Sequence, residues 1–325
     1  MSNSPQPSIE RLRQAIEQIH QAVSGTVLGQ EAAIDSLCAA YLAGGHVLLE
    51  GVPGVGKTLL ARCFAATLGL DFTRLQFTPD LMPGDVLGTN VFDRNQGTFR
   101  LVRGPVFTQV LMADEVNRTP PKTQAALLEA MQEHQATIDG VSYPLGDGFF
   151  VIATQNPLEH EGVYPLPEAQ LDRFLLRIEM TLPPAESELE IYRRAVSGEL
   201  AIWGTDRGLP ETVVGPLEAV ALRSACRSVH ASEELLDYLQ RLAQAVRDSP
   251  HVELGPSPRG ALALLEAGRG AALLAGREFL VPDDLKGLMS ACWSHRLLLT
   301  AESELEGFSP KRVLEEAADS VAVPH

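Results

Sequence analysis

Gly51-Val52-Pro53-Gly54-Val55-Gly56-Lys57-Thr58 has the residue types and spacing of a loop that grips a phosphate chain. Glycines lack a Cβ, so the backbone can curl around an anion with its N–H groups turned inward. Lys57 adds a positive charge for the β- and γ-phosphates of a nucleoside triphosphate, and the Thr58 hydroxyl can ligate a Mg²⁺ ion. The flanks agree with this chemistry. His46–Glu50 reads as a short buried strand entering the loop, and Leu59, Leu60, Cys63, Phe64, Thr67 and Leu68 leave it at helical spacing. Strand, glycine loop and helix together deliver a helix N-terminus to the anion.

A second cluster could do hydrolysis. Gln109–Ala113 is an apolar run ending in Asp114 and Glu115. In a parallel sheet the carboxyl ends of the strands face the ligand crevice. Asp114 there would hold Mg²⁺ through water, and Glu115 would polarise an attacking water, which is a weak nucleophile without a base. Phe149–Thr154 is another apolar strand, followed by Gln155-Asn156-Pro157. The Asn156 amide could bond the γ-phosphate and the lytic water, or it could simply open a turn before Pro157. Two arginines stand in similar ambiguity. Arg173 could pair with Asp172 or Glu168 at the surface, or project at a neighbouring subunit's phosphate. Arg259 falls in the first turn of a helix begun by Ser257 and Pro258, where the helix dipole disfavours a cation. A bound phosphate would remove that conflict; solvent would leave it costing a few tenths of a kcal/mol.

These groups need elements to position them. Strands are expected at His46–Glu50, Phe72–Phe77, Val110–Asp114, Phe149–Thr154 and Leu175–Glu179, with helical patterns between several of them. Such alternation implies a mostly parallel sheet sandwiched by helices. Two helices precede it: one capped by Ser8 with Leu12, Ile16, Ile19 and Val23 on a stripe, and one carrying Ile34, Leu37, Cys38, Tyr41 and Leu42. Gly88–Gly104 reads as a hairpin set in or beside a helix, and Asp139-Gly140 as the two-residue turn of another, since a type I′ turn needs positive φ at both central residues. After Pro183-Pro184 strand signals vanish. Helical stripes run over Glu186–Val196, Pro216–Cys226, Ser232–Val246, Ser257–Leu274 and Pro282–Cys292, with a loop-rich connector at Gly198–Gly215. The chain is expected to divide near Leu182 into an α/β core, residues 1–182, and a smaller all-helical domain, residues 183–325.

Bulk properties narrow the class. The 325 residues allow two domains, and the net charge of −16, from 42 acidic against 26 basic side chains, argues against coating nucleic acid by bulk charge. Cys38, Cys63, Cys226 and Cys292 form no metal-binding spacing and are expected to be reduced. Met1–Ser8 has no signal-peptide core and no apolar run is long enough to cross a bilayer, so a cytoplasmic protein is expected.

The ordered motifs resemble those of the MoxR-type AAA+ ATPases, P-loop NTPases of the clade with a hairpin inserted in the second core helix. The resemblance runs from about Val27 to Leu299. It rests on Gly51–Thr58, Leu111–Arg118, Ala153–Pro157, Tyr164–Phe174 and Gly255–Arg259. It implies a five-stranded AAA+ core with a helical lid, and an ATP site with Mg²⁺ between them. Lys57 and Thr58 match Walker A, Asp114 and Glu115 Walker B, Asn156 sensor 1, Arg173 the arginine finger and Arg259 sensor 2. Val27-Leu28-Gly29 falls where adenine is contacted by backbone. Gly88–Gly104 and Ala136–Tyr143 match hairpins near a central pore. The family implies a homo-oligomeric, usually hexameric ring that remodels protein clients, often with von Willebrand factor A-domain partners. A magnesium-chelatase-like metal-insertion subunit, a DNA-translocating helicase and a nucleotide-gated scaffold are the alternatives. The acidic balance speaks against the helicase, and Glu115 against the scaffold.

Overall fold

The computed structural model describes residues 9–156, 162–199 and 208–324. Ser8, Pro157 and part of the 198–215 connector lie outside the described residues. Two helices, α1 (Ile9–Ser24) and α2 (Glu31–Ala43), lead into strand β1 (His46–Glu50) and helix α3 (Lys57–Thr67). Then come β2 (Phe72–Gln76), the single turn α4 (Pro83–Leu87), and the hairpin β3 (Gly88–Asp93) and β4 (Thr98–Arg103). β5 (Val110–Asp114), α5 (Pro121–Glu133), the hairpin β6 (Gln135–Ile138) and β7 (Val141–Pro144), β8 (Phe150–Gln155), α6 (Glu168–Leu171) and β9 (Phe174–Glu179) complete the first half.

Five of these strands form one sheet in the order β2-β5-β8-β1-β9, and every neighbouring pair is parallel. The expected strands are therefore present within a residue or so of their bounds. The three central ones are buried along almost their whole length, because helices cover both faces of a parallel sheet. One apolar layer holds Leu48, Phe77, Leu111, Leu127 and Phe149. The other runs from Ile16, Leu37 and Phe64 into Leu264, Trp293 and Leu314 of the second half.

That second half contains α7 (Ala185–Ser197), α8 (Pro216–Cys226), α9 (Glu233–Arg247), β10 (Val252–Leu254), α10 (Pro258–Leu274), α11 (Pro282–Trp293), β11 (Leu298–Leu299), α12 (Ala301–Leu305) and α13 (Pro310–Ser320). Among the described residues it is helical apart from the antiparallel β10–β11 pair and a single bridge between His230 and Phe279. Two or three residues per strand are too few to print an alternating pattern on the sequence. The Ser257 hydroxyl accepts the Gly260 amide at 3.1 Å, so the expected cap of α10 is in place. α13 has the same device, with Ser309 accepting from Arg312 at 3.3 Å and Pro310 at the first helical position.

The second half is clamped onto the first. α10 lies against α2 so closely that a Cβ on Gly270 would sit 2.2 Å from the Ala39 carbonyl oxygen. Both hairpins expected from the sequence are present. Asp139 and Gly140 have φ of 50° and 80°, the left-handed pair that the turn requires. The two hairpins are tied together where Asn90 Nδ2 donates to Asp139 Oδ2 at 2.8 Å. All four cysteines are buried, and burial pushes each thiol up to about 12, which leaves them unreactive. No helix among the described residues is long and apolar enough to cross a membrane.

Candidate active site

The five strands end on one side in Gln76, Asp114, Gln155, Glu50 and Glu179, a row of polar residues across the sheet. The glycine loop leaves β1 at this side and turns into α3. Gly54 and Gly56 adopt φ of 85° and 100°, with nothing within 4 Å of an added Cβ. Left-handed backbone, rather than crowding, requires glycine there. Gly51 is different: its Cβ would meet the Met180 carbonyl oxygen at 2.5 Å, so the loop lies directly on the exit of β9. α3 starts at Lys57 without a side-chain cap, which leaves its first N–H groups directed at the loop.

Pro53, Gly54, Gly56, Lys57, Thr58 and Leu59 line a cleft of about 360 Å³ together with Arg74, Asp114, Glu115 and Asn156. Five of the residues singled out by chemistry, Lys57, Thr58, Asp114, Glu115 and Asn156, thus meet in one place. The Lys57 ammonium bends back over the loop, donating to the Gly51 and Val52 carbonyls. Asp114 is buried. Its Oδ1 accepts from Thr154 Oγ1 at 2.5 Å, and its Oδ2 accepts from Arg74 Nη2 at 2.6 Å and Nε at 3.0 Å. Glu115 has φ of 55°, a left-handed conformation uncommon outside glycine. Its N–H donates to Thr154 Oγ1 at 2.9 Å, and its Oε2 accepts from Gln76 at 2.6 Å and Arg118 at 3.0 Å. Thr58 and Asp114 offer the hard oxygen donors that suit Mg²⁺, and they face the loop that would hold the phosphates. The residues present therefore fit such an ion.

A second relay crosses the same edge. Gln155 donates to Glu50, and Glu50 Oε2 pairs with Arg177 at 2.5 Å. Glu50 is buried just ahead of the glycine loop, so its charge is held by groups from both neighbouring strands.

Other expected site residues lie elsewhere. Parallel register aligns Phe174 with His46 and Glu179 with Glu50. Arg173 therefore sits at the amino end of the sheet, about 16 Å along the strands from the glycine loop. Its Nη1 donates to the Ala169 carbonyl at 2.7 Å, while its buried Nε has no hydrogen-bond partner. Arg259 is at this far end too: its Nε lies 3.5 Å from Asp172 Oδ2. The structure does not bring Arg259 to the cleft of its own chain. Asp172 Oδ1 is bound by Arg296 Nε at 2.7 Å, and Arg296 is almost fully buried while also donating to the Asp172, Phe174 and Leu175 carbonyls. Val27-Leu28-Gly29 packs against the exit of β9: a Cβ on Gly29 would be 2.8 Å from Pro184 Cδ. Gln30 fixes this contact by donating to the Thr181 carbonyl at 2.7 Å.

Arg74, Gln76 and Arg296 are not among the residues expected from the sequence, and Arg118 and Thr154 enter only within the Leu111–Arg118 and Ala153–Pro157 motifs, without a role of their own. Arg74, Gln76 and Thr154 sit within strands, where local pattern reads only as alternation. Their partners are 39 or 40 positions away.

Comparison with known proteins finds two family models along the chain. Residues 46–176 match the model of the ATPase family associated with various cellular activities, and residues 244–317 match that of the AAA lid domain. The chain is 42% identical to YeaC of Bacillus subtilis over 315 residues, covering 96% of this chain and 95% of that one. It is 39% identical to chaperone MoxR1 of Mycobacterium tuberculosis over 312 residues, covering 93% and 80%. A crystal structure of a candidate ATPase from Cytophaga hutchinsonii superposes with a TM-score of 0.88 at 38% identity, covering 98% of this chain and 97% of that one.

Proposed function

The chain belongs to the MoxR family of AAA+ ATPases, and on that premise we propose that it hydrolyses ATP at sites shared between copies of itself in a ring, and uses the cycle to remodel protein partners. One observation carries this reading. The glycine loop and the two carboxylates lie at the carboxyl ends of the strands, whereas Arg173 and Arg259 lie together at the amino ends, about 16 Å away. One chain thus brings the glycine loop and the proposed base together but keeps both of these arginines away from that cleft. A neighbour presenting its amino end supplies one.

In this mechanism the α3 N-terminus and Lys57 bind the triphosphate. Thr58 and Asp114 would hold Mg²⁺, which would supply charge neutralisation for the triphosphate. Glu115 accepts a proton from the attacking water, with Thr154 fixing its backbone and Gln76 its carboxylate. Asn156 orients that water. Arg173 and Arg259 of the adjoining copy stabilise the charge that develops on the transferred group. Val27-Leu28-Gly29 contacts the adenine. Hexameric assembly suits this arrangement. The paired hairpins, with Phe92 and Phe99 exposed and stacked edge to face, are suited to gripping a protein client. A von Willebrand factor A-domain protein is a fitting partner, and the cytoplasm the fitting compartment.

Glu115→Gln tests the reading. The variant is expected to bind ATP as the parent does while turnover falls at least ~100-fold. A variant that turns over ATP at the parental rate would remove Glu115 as the base.

A further inference from the structure

Arg74 is the charged residue of the cleft to which the mechanism assigns no part. It projects from β2, the edge strand of the sheet, where neighbouring Thr73 and Leu75 show nothing that calls for a cation. Its side chain is half exposed, yet it lines the same 360 Å³ cleft as Lys57 and Thr58. There it bonds one oxygen of the buried Asp114 carboxylate through two nitrogens, at 2.6 and 3.0 Å. Both nitrogens converge on Oδ2, because Oδ1 is taken by Thr154. This is not the parallel fork in which arginine grips a carboxylate best. The third polar contact of the guanidinium, to Gln76 Oε1 at 3.0 Å, leads to the residue that holds Glu115.

An almost buried carboxylate needs a compensating charge. Here that charge sits on a flexible, half-exposed side chain within reach of the phosphate-binding loop. Resting on the ATP-binding reading above, we propose that Arg74 is an exchangeable counter-ion. It neutralises Asp114 until a divalent cation arrives with the nucleotide, then gives up Asp114 Oδ2 and turns its guanidinium onto the triphosphate oxygens. Two positive charges beside one carboxylate repel each other, so Arg74 and the metal compete for Asp114. A triphosphate without metal, by contrast, is attracted by the guanidinium. The two effects have opposite signs, which separates an exchangeable counter-ion from a merely structural one.

The experiment compares the parent chain with Arg74→Gln, which removes the charge but keeps a donor for Asp114, and with Arg74→Lys, which keeps the charge. Two quantities are measured: the Kd of a fluorescent N-methylanthraniloyl ATP analogue in excess EDTA, and the Mn²⁺ concentration at half-saturation of the ADP complex by electron paramagnetic resonance. Arg74→Gln is expected to weaken metal-free binding of the analogue at least ~5-fold and to tighten Mn²⁺ at least ~5-fold, while Arg74→Lys stays within ~2-fold of the parent in both. Unchanged Mn²⁺ binding in Arg74→Gln, or a loss in both measurements, overturns the exchange. A parent chain that binds the analogue neither in excess EDTA nor in excess Mg²⁺ overturns the ATP reading itself; a parent that binds it and retains turnover, with both affinities shifting together in the variant, overturns only the role of Arg74. If Arg74→Gln does not fold, Arg74→Lys decides. A lysine that departs ~5-fold or more from the parent in either measurement sinks the charge-based account.

Discussion

At the carboxyl ends of the five strands the chain places Gln76, Asp114, Gln155, Glu50 and Glu179; around the amino ends it places Arg173, Arg259 and Arg296, with His46 and His295 close behind. The first end is open. Its carboxylates are held in part by half-exposed side chains, Arg74 and Arg118. The second end is closed. Arg296, 5% exposed, bonds Asp172 and the carbonyls of β9, and His295 Nε2 lies 3.1 Å from the Phe174 carbonyl oxygen. The contrast has a physical reason. On the proposed reading the cleft trades partners as ligands come and go, and the cations Arg74 and Arg118 that pair with its carboxylates are half exposed. A surface proposed to deliver cations to a neighbour must hold its shape, and its anchor Arg296 is buried. The Gly270–Ala39 contact has the same effect. It packs the helical half tightly against its own core.

The sharpest way to break this comparison is at Arg173. On the proposed reading Arg173→Ala loses at least ~1,000-fold in ATP turnover while its own cleft still binds nucleotide. Mixed with the parent chain it should lower turnover more steeply than the parental fraction, because each mixed ring carries defective junctions. A strictly proportional fall would mean that the two ends do not work across copies.

Arg296→Ala probes the closed end by itself. It leaves Asp172 without its buried partner, and a loss of about 3–5 kcal/mol in unfolding free energy is expected by chemical denaturation. Lys57→Ala, at the open end, should cost under ~1 kcal/mol in the same assay, since its partners are loop carbonyls that water can reach. Equal losses would erase the distinction.

The smallest effect is the response to pH. Burial lowers His46 and His295 to about 3, with the cation Arg296 adding to the effect at His295. Both rings are neutral in the folded chain, whereas in the unfolded chain they take up protons below about 6.5. The unfolded state therefore binds more protons between about pH 6.5 and 3, and stability falls as the pH drops through that window. From pH 7.5 to 5.5 each ring should contribute a loss of up to about 1.4 kcal/mol. The His46→Asn variant should show a shallower dependence than the parent, and an unchanged slope would place the titration elsewhere.

Much of the fold was legible because its signals are local. The buried runs of β1, β5 and β8 are continuous, as strands covered on both faces must be. Ser257-Pro258 announced a helix start, and Asp139-Gly140 announced a turn. The β10–β11 pair was illegible for its brevity, and α13 lies outside the expected helical stripes although Ser309-Pro310 repeats the signal of α10. Within the cleft, Asn156 stood open between a ligand of the phosphate and a turn residue, whereas Lys57, Thr58, Asp114 and Glu115 declared themselves by type and spacing. Arg74 did not, because an arginine in a strand is chemically silent until its partner 40 positions away is known.

Read alone, the sequence determined the short-range matters: a glycine loop whose backbone can enclose an anion, two carboxylates at a strand end, and helices begun by serine and proline. Each depends on a few consecutive residues, whose conformation is governed by their own dihedral preferences and capping bonds. Tertiary structure decided which charges meet. It set Arg74 on Asp114, and Arg296 on Asp172 across 124 positions. By fixing β9 parallel to β1, it also sent Arg173 and Arg259 to the end of the sheet opposite the loop. Charge pairing acts through space, and distance in space follows from strand order and register, which no local pattern encodes.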